Sequence, residues 1–263
     1  MMKMRKLSFV PLAAMVVGML MSACSIKENR SGCPCRLFLD LTDVDTSLIE
    51  EVELRAISSD GFLLSERIAS RDFGAAYMLE VPRRMMWLNA LYAEGGVLVG
   101  EKGVTIPLGE ECPPLYMWVS YLNTDCERLW DRVVMRKNHC VISIYVEDSE
   151  NFGFSLAVSG NVNGYSVNGR PSPGEFRVVA RVDEKGLCRI CVPRQMDASL
   201  TLELHDDTKV QKSFALGEYV IESGYDWAAP DLEDLTVGID YSLTKIALSV
   251  QGWDREYVFD MEL

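Results

Sequence analysis

From residue 36 to the C-terminus, apolar side chains return at every second position, and that period commits the chain to strands. In residues 36–41, Leu37, Leu39 and Leu41 share one face, with Phe38 on the other. Val52, Leu54 and Ala56 alternate with Glu51, Glu53 and Arg55, and Asp60-Gly61 then marks a hairpin turn into a strand at 62–68. A strand at 77–81 stops at Pro82, one at 87–93 runs into Gly95-Gly96, and short segments at 97–100 and 116–121 follow. The second half has the same style, with strands at 141–146, 154–159, 176–182, 187–192, 200–204, 209–216, 235–241, 246–250 and 257–263. Glu184-Lys185-Gly186 supplies one of its turns. Residues 47–53 and 125–133 have room for a helical turn or two, and 161–174, punctuated by Gly and Pro, reads as the longest loop of this half. Strands of this length separated by close turn signals predict antiparallel sandwiches, not an α/β sheet. The two halves meet near residue 137, each with enough chain for its own core.

A different pattern precedes this body. Lys3, Arg5 and Lys6 lead into an apolar run over 7–21, which ends in Leu20-Met21-Ser22-Ala23-Cys24. That is the three-part build of a secretory signal, and the run is too short for an ordinary spanning helix. Small residues directly before a cysteine resemble the lipobox of bacterial lipoproteins, with Met21 where Leu is commoner. The resemblance implies cleavage before Cys24, which would carry a thioether-linked diacylglycerol and an N-acyl chain such as palmitate. Each buried methylene contributes about 0.8 kcal/mol; one acyl chain holds marginally, and three make release negligible. Residues 1–23 are then a lipoprotein signal peptide and 24–35 a lipidated tether, ahead of an N-terminal sandwich at 36–137 and a C-terminal one at 138–263. Loss of the leader's three cations leaves the mature chain more negative than the −13 of the whole sequence. No Lys/Arg cluster follows Arg30, so nucleic acid and anionic headgroups are poor partners for it.

The residues offer little chemistry. Besides Cys24 there are Cys33, Cys35, Cys112, Cys126, Cys140, Cys188 and Cys191, an odd number that leaves at least one thiol unpaired in an oxidising compartment. The pairs 188/191 and 33/35 have metal-ligand spacing, but positions i and i+3 of a strand face opposite sides of a sheet, so no metal is assigned. Only His139 and His205 are present, without HExxH or a P-loop, and Gly164-Tyr165-Ser166-Val167-Asn168 misses GxSxG at its last residue. Asp43-Val44-Asp45 begins like a calcium loop without its glycine or terminal Glu, and adjacent His205-Asp206-Asp207 cannot orient one another as a triad. No catalytic residue and no cofactor is assigned. The chain is read as non-enzymatic.

Both ends of the mature chain carry a family resemblance. At the start stands Cys24-Ser25-Ile26-Lys27-Glu28-Asn29-Arg30-Ser31-Gly32-Cys33-Pro34-Cys35, directly before the first strand. Towards the end come Gly224-Tyr225-Asp226-Trp227, then Asp234-Leu235-Thr236-Val237-Gly238-Ile239-Asp240-Tyr241, and finally Ile246-Ala247-Leu248-Ser249-Val250-Gln251-Gly252-Trp253. The arrangement resembles the FimB-type fimbrial anchor lipoproteins of Bacteroidales type V fimbriae. That resemblance implies an all-β fold of two consecutive transthyretin-like antiparallel β-sandwich domains. It also implies an outer-membrane position at the fimbrium base, where the protein holds the shaft and limits its elongation. The partner would be a fimbrial shaft subunit (fimbrillin), joined by strand donation, in which backbone bonds give affinity and alternate side chains give specificity.

Tyr257, Phe259, Met261 and Leu263 form an apolar row in residues 255–263, with Val258, Asp260 and Glu262 on the other phase. This segment, or the sheet edge it borders, is expected to meet the last shaft subunit; the alternative makes it the final strand of its own sandwich. The rival function is a surface glycan-binding lipoprotein of a nutrient uptake system. That would require two or three aromatic rings on one exposed face, whereas Trp227, Trp253 and Tyr241 read as core.

Overall fold

Each alternating segment becomes a strand with its apolar phase turned inward, because pleating sends successive side chains to opposite faces. The computed structural model describes residues 32–95, 98–100, 103–146, 154–206, 209–239, 245–250 and 256–260. In chain order the first ten strands are β1 (Cys35–Asp40), β2 (Glu51–Ile57), β3 (Leu63–Ala69), β4 (Tyr77–Val81), β5 (Met85–Ala93), β6 (Leu98–Gly100), β7 (Gly103–Thr105), β8 (Leu115–Asn123), β9 (Arg128–Arg132) and β10 (Arg136–Lys137). The others are β11 (His139–Val146), β12 (Phe154–Ser166), β13 (Pro171–Arg181), β14 (Leu187–Pro193), β15 (Thr201–Asp206), β16 (Lys209–Phe214), β17 (Leu235–Ile239), β18 (Lys245–Val250) and β19 (Glu256–Asp260). Among the described residues a 3-10 turn at Ser70–Asp72 and one short α-helix, α1 (Leu216–Glu222), interrupt them.

The strands form an all-β sandwich fold with two cores. In the first, a three-stranded sheet ordered β4-β1-β9 covers a five-stranded sheet ordered β10-β8-β5-β2-β3. Leu37, Leu39 and Leu41 of the one pack with Val52, Leu54, Ala56, Met86 and Leu88 of the other. In the second, β14-β11-β17-β18-β19 packs on β16-β15-β12-β7-β6, with β13 along the remaining side of β12. Ile142, Ile144, Leu156, Val158, Phe176, Ile190, Leu202 and Val237 fill the space between. Pairing is antiparallel apart from β1 with β9 and β11 with β17, so each half places its first strand beside a late one in parallel.

Four segments differ from the sequence reading. Residues 125–133 form no helix: Leu129, Trp130 and Asp131 alternate as β9 beside β1. Residues 161–174 are the two arms of the β12–β13 hairpin, closed by a turn at 167–170 in which the Gly169 N–H donates to Ser166 O (2.8 Å). The strand expected over 209–216 stops at Phe214, and α1 follows with Leu216, Gly217 and Val220 buried. Finally, β6 and β7 leave the first half to join the sheet of β12, and Ile106 and Cys112 enter the second core.

Candidate anchoring and docking surfaces

Cys24 lies outside the described residues; the described chain enters the fold at Gly32. Cys33 is exposed, while Cys35 is fully buried at the start of β1, the central strand of its sheet. The Arg36 N–H donates to Glu127 O (3.0 Å) and so fixes the entry against the segment leading into β9. The Cys35 and Cys126 sulfurs lie 3.8 Å apart. Burial, then contact with Cys126, pushes the Cys35 thiol up to about 11. A charged cleft of 540 Å³ opens here, lined by Cys33, Pro34, Arg36, Glu80, Arg83, Glu127 and Arg128.

The final segment forms β19, the edge strand beside β18, in antiparallel register with Tyr257 opposite Leu248 and Phe259 opposite Ile246. Leu248 is fully buried, so Tyr257 shares the inward phase and is half-buried, whereas Val258 points outward and is 61% exposed. Phe259 is placed by its backbone; Met261 and Leu263 lie outside the described residues. The apolar row noted in the sequence therefore starts on the inner face of the chain's own sheet. Among the described residues β19 ends its sheet, and Val258 is what it presents outward.

The β6–β7 segment joins the second sheet at a close backbone approach. Gly164 of β12 pairs with Thr105 of β7, and a Cβ at either Gly164 or Gly103 would overlap a backbone oxygen of the other strand. Gly103 also takes a φ of 135°, a region that favours glycine. Beside this contact, Tyr165 packs with Leu91, Val104, Leu115 and Met117. Its buried hydroxyl donates to Asn138 O and accepts from the Arg194 N–H (2.9 Å). The Arg194 guanidinium donates in turn to Asn138 Oδ1 (3.2 Å), Trp227 O and Ala229 O (2.7 Å). On the first-half side, Arg55 donates to Gly100 O (2.6 Å) and the Asn89 amide to Val167 O (3.1 Å).

Two exposed apolar rows escaped the sequence reading. Across β4-β1-β9 the register lines up Met78, Phe38 and Trp130, with the two rings stacked at 4.4 Å and 13° and Trp130 60% exposed. Ion pairs flank the row: Arg36 with Glu80 (3.8 Å) and Arg132 with Asp43 (2.8 Å). Across β3-β2-β5-β8, Leu63, Ile57, Trp87 and Tyr121 align, with Tyr121 53% exposed. Phe38 on the outer phase of its strand was the available signal; Trp130 was masked by the helical reading of its segment.

Groups with chemical potential are held in structural roles. His139 is buried and its Nδ1 accepts the Leu115 N–H (3.0 Å), and burial lowers its pKa. His205 Nε2 bonds Glu203 Oε2 (2.9 Å), and Arg177 reaches the same carboxylate (3.0 Å). The His205 bond, with help from Arg177, holds the Glu203 carboxyl below its usual range. Cys188 and Cys191 are both buried in the second core, Cys191 beside Cys112 with its N–H donating to Glu111 Oε1 (2.6 Å). Asp45 caps its own turn through the Ser47 N–H (2.9 Å) and Asp43 pairs with Arg132. Trp227 is 7% exposed and meets Tyr225 edge-on at 4.8 Å, whereas Trp253 and Tyr241 lie outside the described residues.

No protein-family model matches the sequence, and neither does any curated protein. Solved structures do share the fold. A Bacteroides thetaiotaomicron protein proposed to bind polysaccharide matches with a TM-score of 0.63 at 11% identity, over 87% of this chain and 98% of its own. A second protein of that species, a proposed adhesin, gives 0.57 at 12% identity over 88% and 99%. The fimbrial anchor protein Mfa2 from Porphyromonas gingivalis gives 0.56 at 13% identity over 84% and 98%. At such identities the likeness is one of fold.

Proposed function

We propose that this chain is a lipid-anchored, non-enzymatic fimbrial subunit that fixes the base of a fimbrium to the outer membrane and limits shaft elongation. The observation that carries this reading is the short path from Cys24 to β1. The first described strand begins at Cys35, so the 11 residues from Cys24 to Pro34 reach at most about 40 Å when fully extended. A body held that close to a membrane suits a base position. The fold likeness to a fimbrial anchor protein, over 84% of this chain, supports the same role. Residues 36–137 and 138–263 are its two sandwich domains, locked together by the β6–β7 excursion. The docking surface is the edge of β19 together with the apolar row Tyr257, Phe259, Met261 and Leu263 that its sequence carries. A subunit that keeps its last strand offers an edge for one shaft subunit and ends growth there. Deleting the gene should shed fimbriae into the medium or lengthen them, and Cys24→Ser should release the protein from the membrane. Unchanged retention and length in the deletion strain would overturn the reading.

One observation favours a second reading, a surface glycan-binding lipoprotein. The Phe38–Trp130 stack lies on an open face with charged groups at its rim, as a sugar ring requires. Trp130→Ala losing glycan retention on a polysaccharide array, with fimbriae unaffected, would establish it.

A further inference from the structure

We infer that Cys35 and Cys126 close into a disulfide that staples the first strand of the fold to the segment entering β9. Their sulfurs already touch at 3.8 Å. Arg36 pairs with Arg128, so Cys126 sits one residue before the position that would face Cys35. With strands about 4.8 Å apart and a rise of about 3.3 Å per residue, such a stagger corresponds to a Cα separation of roughly 6 Å, within the span a disulfide bridges. The Cys126 N–H bonds Thr124 O (2.8 Å) in a tight turn just before β9, and its sulfur faces that of Cys35. Cys33 is the nearest competitor, but it is exposed and separated from the strand by Pro34. Closure costs little rearrangement: Cys35 is already ordered in the centre of a sheet, and Cys126 is half-buried beside it.

The oxidant is a dithiol oxidase or a small-molecule disulfide, R–S–S–R. The more accessible Cys126 attacks first as a thiolate, giving a mixed disulfide, and the departing RS⁻ takes up a proton. Cys35 then attacks the Cys126 sulfur and displaces the second RS⁻. Two thiols have lost two electrons and two protons, and one R–S–S–R has become two RSH. Only the presence of an oxidant in the cell depends on the export reading, so the purified chain tests the bond separately.

Incubate the purified full-length protein with oxidised glutathione, alkylate free thiols under denaturing conditions, digest without reductant and map the peptides by mass spectrometry. The expected product links the Cys35 peptide to the Cys126 peptide. Adding dithiothreitol should remove that link and lower the thermal midpoint by on the order of 10 °C, the loss predicted for opening so long a loop in a chain of this size. Cys126→Ser should show neither the link nor its share of the shift. Alkylated Cys35 and Cys126 after oxidation, or a Cys33–Cys126 link, would overturn the assignment, and the wild-type map decides this even if the variant fails to fold.

Discussion

Replacing Tyr165 with phenylalanine isolates the polar lock between the sandwiches. The ring stays among Leu91, Val104, Leu115 and Met117, so the volume is kept and no cavity forms. The lost oxygen serves two partners, the Asn138 carbonyl and the Arg194 N–H, at a site 1% exposed. Leaving a buried donor or acceptor unpaired costs about 1–3 kcal/mol each, so Tyr165→Phe should destabilise by roughly 2–5 kcal/mol. In a chain of this length that lowers the melting temperature by roughly 5–15 °C. Urea unfolding followed by circular dichroism gives the free energy directly, and Tyr145→Phe, at a 44% exposed residue, provides the control with a change inside about 0.5 kcal/mol. A Tyr165→Phe loss below about 1 kcal/mol would refute the reasoning, because the hydroxyl would then not be the only partner of those two backbone groups.

Gly164→Ala places a methyl group against Val104 O, so it should detach the β6–β7 hairpin; hydrogen exchange at Val104 and Thr105 should rise well above that of β11. The buried His139 has its pKa lowered from the ordinary 6.5, so the unfolded state binds a proton first. Its contribution is therefore complete above about pH 6.5 and is lost as pH falls towards the lower folded value. His139→Asn, which can offer an oxygen to the Leu115 N–H, should flatten the stability profile just below about pH 6.5 in urea titrations. The carboxylates of Asp60 and Glu203, held below their usual range, act only nearer pH 4 and under, and should leave that window unchanged.

Local chemistry was legible wherever it acts alone. Pro82 stops β4 at Val81, and Gly61 and Gly186 turn the chain with φ near 89° and 76°, where other residues are strained. The alternation of Leu37, Leu39 and Leu41 gave the inner face of β1 directly. Features that depend on distant partners were hidden. Residues 128–132 are a strand because β1 supplies its ladder, and nothing within the segment says so. Gly164 and Gly174 looked like loop punctuation, yet each makes room in a hairpin arm: the first for Val104 O, the second for the Asn163 side chain. Helix α1 has no side-chain cap and only seven residues, so it left little trace among neighbouring strands. For the last strand, the inward phase of Tyr257 follows from the partner strand β18, which periodicity cannot supply. The Phe38–Trp130 face needed both the parallel register of β1 with β9 and the strand nature of β9 before it could be seen.

The position of β1 has a mechanical consequence. It is flanked on both sides, by β4 over five aligned residues and by β9 over five more. A pull arriving from the N-terminal tether runs along the strand axis, so both ladders resist in shear and their bonds share the load. An edge strand such as β19, tugged from its free end, peels away from β18 one bond at a time. Under tension this arrangement makes the N-terminal end of the fold the strong grip and leaves the far edge as the place where release begins.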